Sequence, residues 1–408
     1  MYFKTFSKSE CCACTACEHA CPVQAITFTP DYEGFMYPSI DSEKCINCGL
    51  CERVCPVEHP DYSNSNTPYT YAAMVTDIEQ RKNSSSGGMF YVIASWVLRQ
   101  GGKVYGATMD RNHQVYHIGI DNENDLELLR GSKYVQSDLR HVFCEIKDEL
   151  KVGRWIYFVG TGCQVAGLKA YLRKDYGQLV TSDLVCHGVP SQWLFDQHIN
   201  YLTEQYDGNI SDYQFRDNEN WSGCEIFKVS KKGKIKVIKN KTYFKSPYLN
   251  AFMSNYTLRY SCYNCKFSQI PRQGDITLAD FWGVENFIKD ISKHHGVSMI
   301  LINTHKGDVV FNSLKHECEW EETELKNAIK YNANLTQRTE LPEIRRVIYD
   351  HIKNRGYKEV ASTLFKSHRY YKTIIVQMLF SNRIIKKVLV SIYSLMNKNE
   401  NKKSIFIF

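Results

Sequence analysis

The chain has 408 residues, 43% hydrophobic and 23% charged, with 51 Lys and Arg against 44 Asp and Glu for a net charge of +7. That composition is globular and the length suits two or three domains. The mild basic excess, much of it in the C-terminal tail, does not mark a nucleic-acid binder, and no run of 18 apolar residues marks a transmembrane helix.

Sixteen cysteines cluster at metal-ligand spacing instead of spreading through loops. The opening "MYFKTFSKSE" lacks the basic-then-apolar pattern of a signal peptide. The expected setting is therefore a reducing cytoplasm and not a disulfide framework. In "CCACTACEHACP" (11–22), Cys11, Cys14, Cys17 and Cys21-Pro22 fit C-x2-C-x2-C-x3-C-P. Starting from Cys12 breaks the spacing, so Cys12 is read as a non-ligand. "CINCGLCERVCP" repeats the pattern with Cys45, Cys48, Cys51 and Cys55-Pro56.

This is the spacing of a bacterial two-cluster ferredoxin, in which each fourth cysteine ligates the other cube. Cys11, Cys14, Cys17 and Cys55 are assigned to one 4Fe–4S cluster; Cys45, Cys48, Cys51 and Cys21 to the other. Structural zinc, the rival, does not need a triplet followed by Cys-Pro, twice. Two clusters make a one-electron wire, and residues 1–60 suffice for it, so the rest of the chain must house its terminus.

"EHPDYSNSNTPYT" (58–70) is polar and turn-rich, which places a linker at 61–72. "SSSGGMFYVIASWVLRQGGKVYGATM" (84–109) predicts a loop, a helix capped by Ser84 to Ser86, a glycine turn and a strand. Gly87-Gly88 would let the backbone approach a ligand. "RWIYFVGTGCQVAGLKAYLRK" (154–174) predicts a strand, a tight turn and a helix. "LVTSDLVCHGVPS" (179–191) predicts a strand ending in a loop, "KVSKKGKIKVIKNK" (228–241) a basic hairpin, and "VSMILINT" (297–304) a strand.

From about 320 the pattern is mostly helical. The expected fold is α+β: a bacterial-type two-cluster ferredoxin fold, a mixed α/β body over 73–315 and a C-terminal helical region over 316–408. Within that tail, residues 372–398 place Ile384, Ile385, Val388, Leu389, Ile392, Leu395 and Met396 on one helical face, flanked by Arg383, Lys386, Lys387 and Lys398. Such a helix suits the body itself, a partner subunit, or the inner face of an anionic membrane.

Cys163 in "VGTGCQ" and Cys186 in "VCHG" each follow an apolar strand, and "SCYNCKF" adds Cys262 and Cys265. Four thiolates from one sheet edge and one loop point to a third 4Fe–4S cluster in the body. A C-x2-C pair also suits zinc, single cysteines are often merely buried, and Cys163 at a helix start could instead be a reactive thiol. Cys144, Cys224 and Cys318 have no partner pattern and are read as structural.

At this point the motifs resemble the beta subunit of coenzyme F420 (deazaflavin) hydrogenases and dehydrogenases. That family includes hydroxymethyl-chlorophyll reductase and bacterial members near capsular-polysaccharide genes. The segments that carry the likeness are "SSSGGMF", "RGSKYVQSDL", "YFVGTGCQVAGLKAYL", "DLVCHGVPS" and "CYNCKFSQIPRQGDITLADFWG", behind the ferredoxin module. Gly162 stands where the family usually has proline.

The resemblance implies FAD in the body, supports the third cluster, and implies an oxidoreductase passing electrons between clusters and flavin. A flavin accepts electrons singly and delivers a hydride, converting one chemistry to the other. Ser84, Ser85, Ser86, Gly87 and Gly88, at a helix N-terminus, suit a pyrophosphate; Lys133 and Tyr134 would serve phosphate and ring. His187 is the candidate proton donor, or alternatively tunes the cluster through its sulfurs. Asp275 and Asp280 are read as turn formers or anchors beside the cofactor.

The donor would be reduced ferredoxin or another low-potential carrier. The acceptor would be a small molecule docked on the flavin, with a sugar or nucleotide-sugar of polysaccharide synthesis suggested by association only. The alternatives are an electron-relay subunit serving a partner enzyme, and a reduced-deazaflavin (coenzyme F420) oxidase.

Overall fold

Each cysteine triplet winds through a loop that L-residues adopt only with left-handed backbone angles. Ala13 and Thr15 have φ of 54° and 60°, and their counterparts 34 positions on, Asn47 and Gly49, have 52° and 67°. The two loops therefore share one conformation, each opening a short helix, Ala16–Ala20 and Leu50–Arg53. Between them β1 (Ile26–Pro30) and β2 (Met36–Ile40) form an antiparallel hairpin. The computed structural model describes residues 2–217, 222–240, 242–289 and 294–366. The expected amphipathic segment 372–398 lies outside the described residues.

The body is built on a mixed eight-stranded sheet. Its strands are β3 (Tyr69–Val75), β4 (Lys103–Met109), β5 (Val115–Ile120), β6 (Ile156–Thr161), β7 (Leu179–Leu184), β11 (Ile276–Asp280), β12 (Ser298–Ile302) and β13 (Cys318–Thr323), in the order β13-β3-β12-β11-β7-β6-β4-β5. The central four, β11, β7, β6 and β4, are mutually parallel, and the flanking pairs are antiparallel.

Parallel strands are covered on both faces and read as continuous apolar runs. Accordingly β6 alternates between two cores. Tyr157 and Val159 pack with the helices Met89–Arg99 and His305–Leu314. Ile156 and Phe158 pack with Val142–Lys151 and Gly162–Leu172. Cys14, Ala16 and Val54 of the ferredoxin domain join that second core.

A second, three-stranded sheet holds β8 (Asn209–Asp217), β9 (Ser222–Lys231) and β10 (Lys234–Asn240). The turn between β9 and β10 is Lys232-Gly233, both at positive φ, the geometry a two-residue hairpin requires. This sheet packs with the helices Gln192–Tyr206, Ile348–Arg355 and Tyr357–Ser362, and with Phe35 and Tyr37 of the ferredoxin hairpin. The ferredoxin domain thus contributes to the cores of both lobes.

Two local expectations are corrected. The helix at Met89 is capped by Gly88, at φ +89°, without a side-chain cap. The serines bond elsewhere: Ser84 Oγ donates to the Gln80 carbonyl and Ser86 Oγ to that of Val297. Gly87 and Gly88 press on strands: an added Cβ would lie 2.3 Å from Ala73 O at Gly87 and 2.6 Å from Val75 Cγ1 at Gly88. In addition, Cys318–Thr323 forms an edge strand on β3 before the helices resume at Leu325.

Segment 58–68 lies against the Cys265 loop. Tyr62 Oη donates to Lys266 O at 3.0 Å, and Asn64 Nδ2 to the carbonyls of Arg272 and Gly274. Among the described residues no helix is long and apolar enough to cross a membrane.

Candidate functional site

Cys11, Cys14, Cys17 and Cys55 line one cavity, the set assigned from spacing to a single cube; Cys12 and Cys51 also reach its wall. Burial, then the thiols of Cys11, Cys55 and Cys51, hold the Cys17 pKa well above its ordinary value. Cys45 and Cys48 lie in the second loop and Cys51 in the helix Leu50–Arg53 that it opens, while Cys21 ends the helix Ala16–Ala20. Backbone amides already point at these sulfurs: Ala13 N to Cys11 Sγ at 3.4 Å and Ala25 N to Cys21 Sγ at 3.2 Å. Such donors favour thiolate and tune a cluster's potential.

Cys163 and Cys186 follow the adjacent parallel strands β6 and β7, so both emerge at the carboxyl edge of the sheet, where α/β folds bind ligands. Gly188, at φ +132°, lets the loop after Cys186 close on Cys262: an added Cβ would lie 3.2 Å from Cys262 Cβ. Cys163, Cys186, Cys262 and Cys265 face one cavity of about 760 Å³. Burial, then Cys163 and Cys265, pushes the Cys186 pKa up to about 12; burial, then Cys186 and Cys265, raises Cys262.

Four mutually repelling, buried thiols are poorly placed as ligand-free anions, and cations among them would remove that penalty. Four thiols around one cavity are the donor set that a 4Fe–4S cube takes.

The cavity continues from these thiols to Ser84, Ser85, Ser86, Gly88, Lys133, Tyr134 and His187. Gly87 stays off its wall, against β3 and β12. Burial pushes the Lys133 pKa down to about 7, with Nζ donating to Arg130 O at 2.6 Å. Tyr134 stacks on Phe252, ring centroids 4.9 Å apart, and His187 meets the same ring edge-on. Burial lowers the His187 pKa, so its ring is neutral at neutral pH. A space of this size matches small-molecule cofactor sites.

Asp280 lines the cavity and pairs with Arg216 Nη1 at 2.5 Å. Asp275 is structural: it accepts from Thr181 N and Oγ1 at 2.9 and 2.7 Å and from Thr304 Oγ1 at 2.8 Å.

Several wall residues were given no role from the sequence. Thr161 Oγ1 lies 3.1 Å from Cys163 Sγ, and the Thr161 amide donates to Gln164 Oε1 at 2.9 Å within a capping box. Gln164 Nε2 donates to Ser137 Oγ, which meets His117 Nδ1 at 2.9 Å. Arg216, Arg259 and Arg272 also line the cavity. Arg216 and Arg259 fall outside every motif quoted from the sequence, whereas Arg272 falls within the one that begins at Cys262.

Residues 153–328 match the family model for the C terminus of the coenzyme F420 hydrogenase/dehydrogenase beta subunit, and residues 10–59 match that of a "4Fe-4S dicluster domain". The likeness read from the motifs is thereby shown for these two segments. No curated protein matches the chain. Among solved structures, a chain of the F420-reducing NiFe hydrogenase complex from Methanosarcina barkeri, in a xenon derivative, aligns at 16% identity and a TM-score of 0.45, covering 71% of this chain and 94% of that one.

Proposed function

We propose that this chain, which joins a 4Fe–4S dicluster domain to the C-terminal domain of a coenzyme F420 hydrogenase/dehydrogenase beta subunit, is an iron–sulfur flavoprotein oxidoreductase. The observation that carries the reading is the single cavity of about 760 Å³ that unites Cys163, Cys186, Cys262 and Cys265 with Ser84–Ser86, Lys133, Tyr134 and His187. Cofactor electron storage at one end and a binding wall at the other make a converter between one-electron and two-electron chemistry.

In this reading the twelve cysteines hold three 4Fe–4S clusters, and the cavity holds FAD, which supplies stepwise electron acceptance and hydride delivery. The chain's own residues bind and orient. Lys133 offers its ammonium to a phosphate, the serine loop offers backbone amides, and Tyr134 offers a ring face fixed by Phe252. His187, neutral and beside Cys186, holds an N–H for a sulfur or a developing anion. The donor is a low-potential one-electron carrier of the ferredoxin class. The small-molecule acceptor class, sugar or nucleotide-sugar, rests on the family likeness alone.

A relay role is the second reading, favoured by the match to a domain of a beta subunit. Anaerobic purification with iron, sulfide, zinc and flavin analysis tests both. The expected yield is about twelve irons and one flavin per chain, falling to about eight irons in Cys163→Ala. Eight irons in both would remove the body cluster, and zinc in the cysteine loops would remove the account altogether. Reoxidation of the reduced flavin by a small molecule supports the enzyme; reoxidation only by a protein supports the relay; turnover of reduced deazaflavin supports an F420 oxidase.

A further inference from the structure

One cysteine that the cluster assignments leave unused sits where the two halves of the site meet. Cys12 lies on the wall of the ferredoxin cavity and on the wall of the body cavity. Cys14 shares the first of those walls and Cys163 the second. Cys12 therefore stands where the ligand sets of two different cubes adjoin.

A second feature fixes Cys12 in that place. Arg259 is 1% exposed, and its backbone belongs to the body: its N–H donates to Val189 O, and its carbonyl accepts from Cys262 N, both at 2.9 Å. Its side chain reaches into the ferredoxin domain. Nε donates to Cys11 O at 2.7 Å, Nη2 to Met36 O at 2.9 Å, and Nη1 to Gln136 Oε1 at 3.2 Å. Gln136 Nε2 then donates to Cys12 O at 3.1 Å. Arg259, rooted three positions from Cys262, thus holds the Cys11 carbonyl directly and the Cys12 carbonyl through Gln136.

We infer that Cys12 and Arg259 form the junction through which electrons cross from the ferredoxin domain into the body. Cys12 is the sulfur contact between the cube on Cys11, Cys14, Cys17 and Cys55 and the cube on Cys163, Cys186, Cys262 and Cys265, and Arg259 is the positioning residue that holds it there. The inference rests on the function proposed above. One electron leaves the first cube, which is oxidised by one unit, and arrives at the second, which is reduced by one. Cys12 stays a thiol, no bond forms or breaks, and no proton moves.

Tunnelling decays less steeply through bonded and touching atoms than through empty space, and sulfur is the most polarisable side-chain atom available for the contact. The guanidinium adds a fixed positive charge beside both ligand sets, which favours the reduced clusters.

The test is stopped-flow mixing of anaerobic holoprotein with a one-electron donor, with the ferredoxin and body clusters read separately by freeze-quench EPR, alongside iron analysis. In Cys12→Ala the iron content and the reduction rate of the ferredoxin clusters should match the native chain, while electron arrival in the body slows by about tenfold or more. Arg259→Lys keeps the charge but loses the fork, and should slow the same step with little change in cluster potential.

Arrival within about twofold of native in Cys12→Ala overturns the inference. So does loss of about four irons in that variant, which would make Cys12 a ligand. If Arg259→Lys does not accumulate as folded protein, the Cys12 variant alone decides. A native chain whose irons all reside in the ferredoxin domain would instead remove the body cluster from the function reading, and the junction with it.

Discussion

Asp183 and Arg272 meet at 2.6 Å with side chains 0% and 2% exposed, and this pair ties together the loops that carry Cys186 and Cys265. Arg272 also donates to Phe267 O at 2.8 Å and to Leu184 O at 3.1 Å, two residues from each of those cysteines. Asp183 Oδ1 accepts from Thr277 Oγ1 at 2.7 Å and Gly274 N at 3.2 Å. Breaking a buried pair from one side strands a charge, at a cost of about 3–5 kcal/mol. Asp183→Asn should lower stability by that order in urea titration and shed the body cluster's iron. Asp183→Asn with Arg272→Met should regain much of the stability without regaining the iron.

Gly167 faces Cys14 across the helix Gly162–Leu172. A Cβ there would lie 2.6 Å from Cys14 Cβ and 2.9 Å from its Sγ. Replacing a helical glycine with alanine ordinarily stabilises by about 1 kcal/mol. Here the sign should reverse: Gly167→Ala should destabilise by about 1–3 kcal/mol and lose about one cube of iron while far-UV circular dichroism barely changes. Native iron content with raised stability would show that the ferredoxin loop can yield.

The N-terminal dicluster domain was legible because its two cysteine triplets repeat one spacing, and the matched left-handed angles at Ala13, Thr15, Asn47 and Gly49 are the backbone counterpart of that repeat. The strands before Cys163 and Cys186 were legible because buried parallel strands are written as apolar runs. Arg216, Arg259 and Arg272 were not, since each is one charge whose partners lie in another segment. Gly167 reads as an ordinary helical residue until Cys14 is set against it. "CEWEET" at 318–323 gave no strand because an edge strand carries charge on its open side, and pairing with β3 decides its conformation. The serine cap failed because Gly88, pressed on Val75, takes the one position where φ must be positive.

Lys133 should make flavin binding depend on pH. Burial pushes its pKa down to about 7, against about 10.4 in an unfolded chain. Between those values the unfolded chain holds the proton and the folded one does not, so this group's contribution to stability rises with pH across that window. A phosphate at Nζ reverses the preference and restores the proton. Binding above pH 7 should therefore take up as much as about one proton per flavin, and affinity should fall as pH rises. Calorimetry at pH 8 in buffers of different ionisation enthalpy measures the uptake, and Lys133→Met should abolish it. Equal uptake in the variant would place the phosphate elsewhere.

Glu225 anchors the second lobe. Fully buried, its Oε1 meets His198 Nε2 at 2.5 Å and accepts from Tyr213 Oη at 2.7 Å and Ser246 Oγ at 2.8 Å, while Oε2 accepts from Asn240 Nδ2 at 2.8 Å. Burial opposes its charge, but His198 and then the Tyr213 and Asn240 donors outweigh burial and leave its pKa lowered. A lowered carboxylate contributes stability that is whole above the unfolded value, about 4.3, and is lost as pH falls through the folded one. The urea midpoint of the native chain should accordingly drop as pH falls below about 4. Glu225→Gln should be weaker at pH 7 by about 2–4 kcal/mol, because one amide cannot accept from all four groups. Its acid dependence in that window should be flatter than native; an equally steep fall would assign the acid sensitivity to other carboxylates.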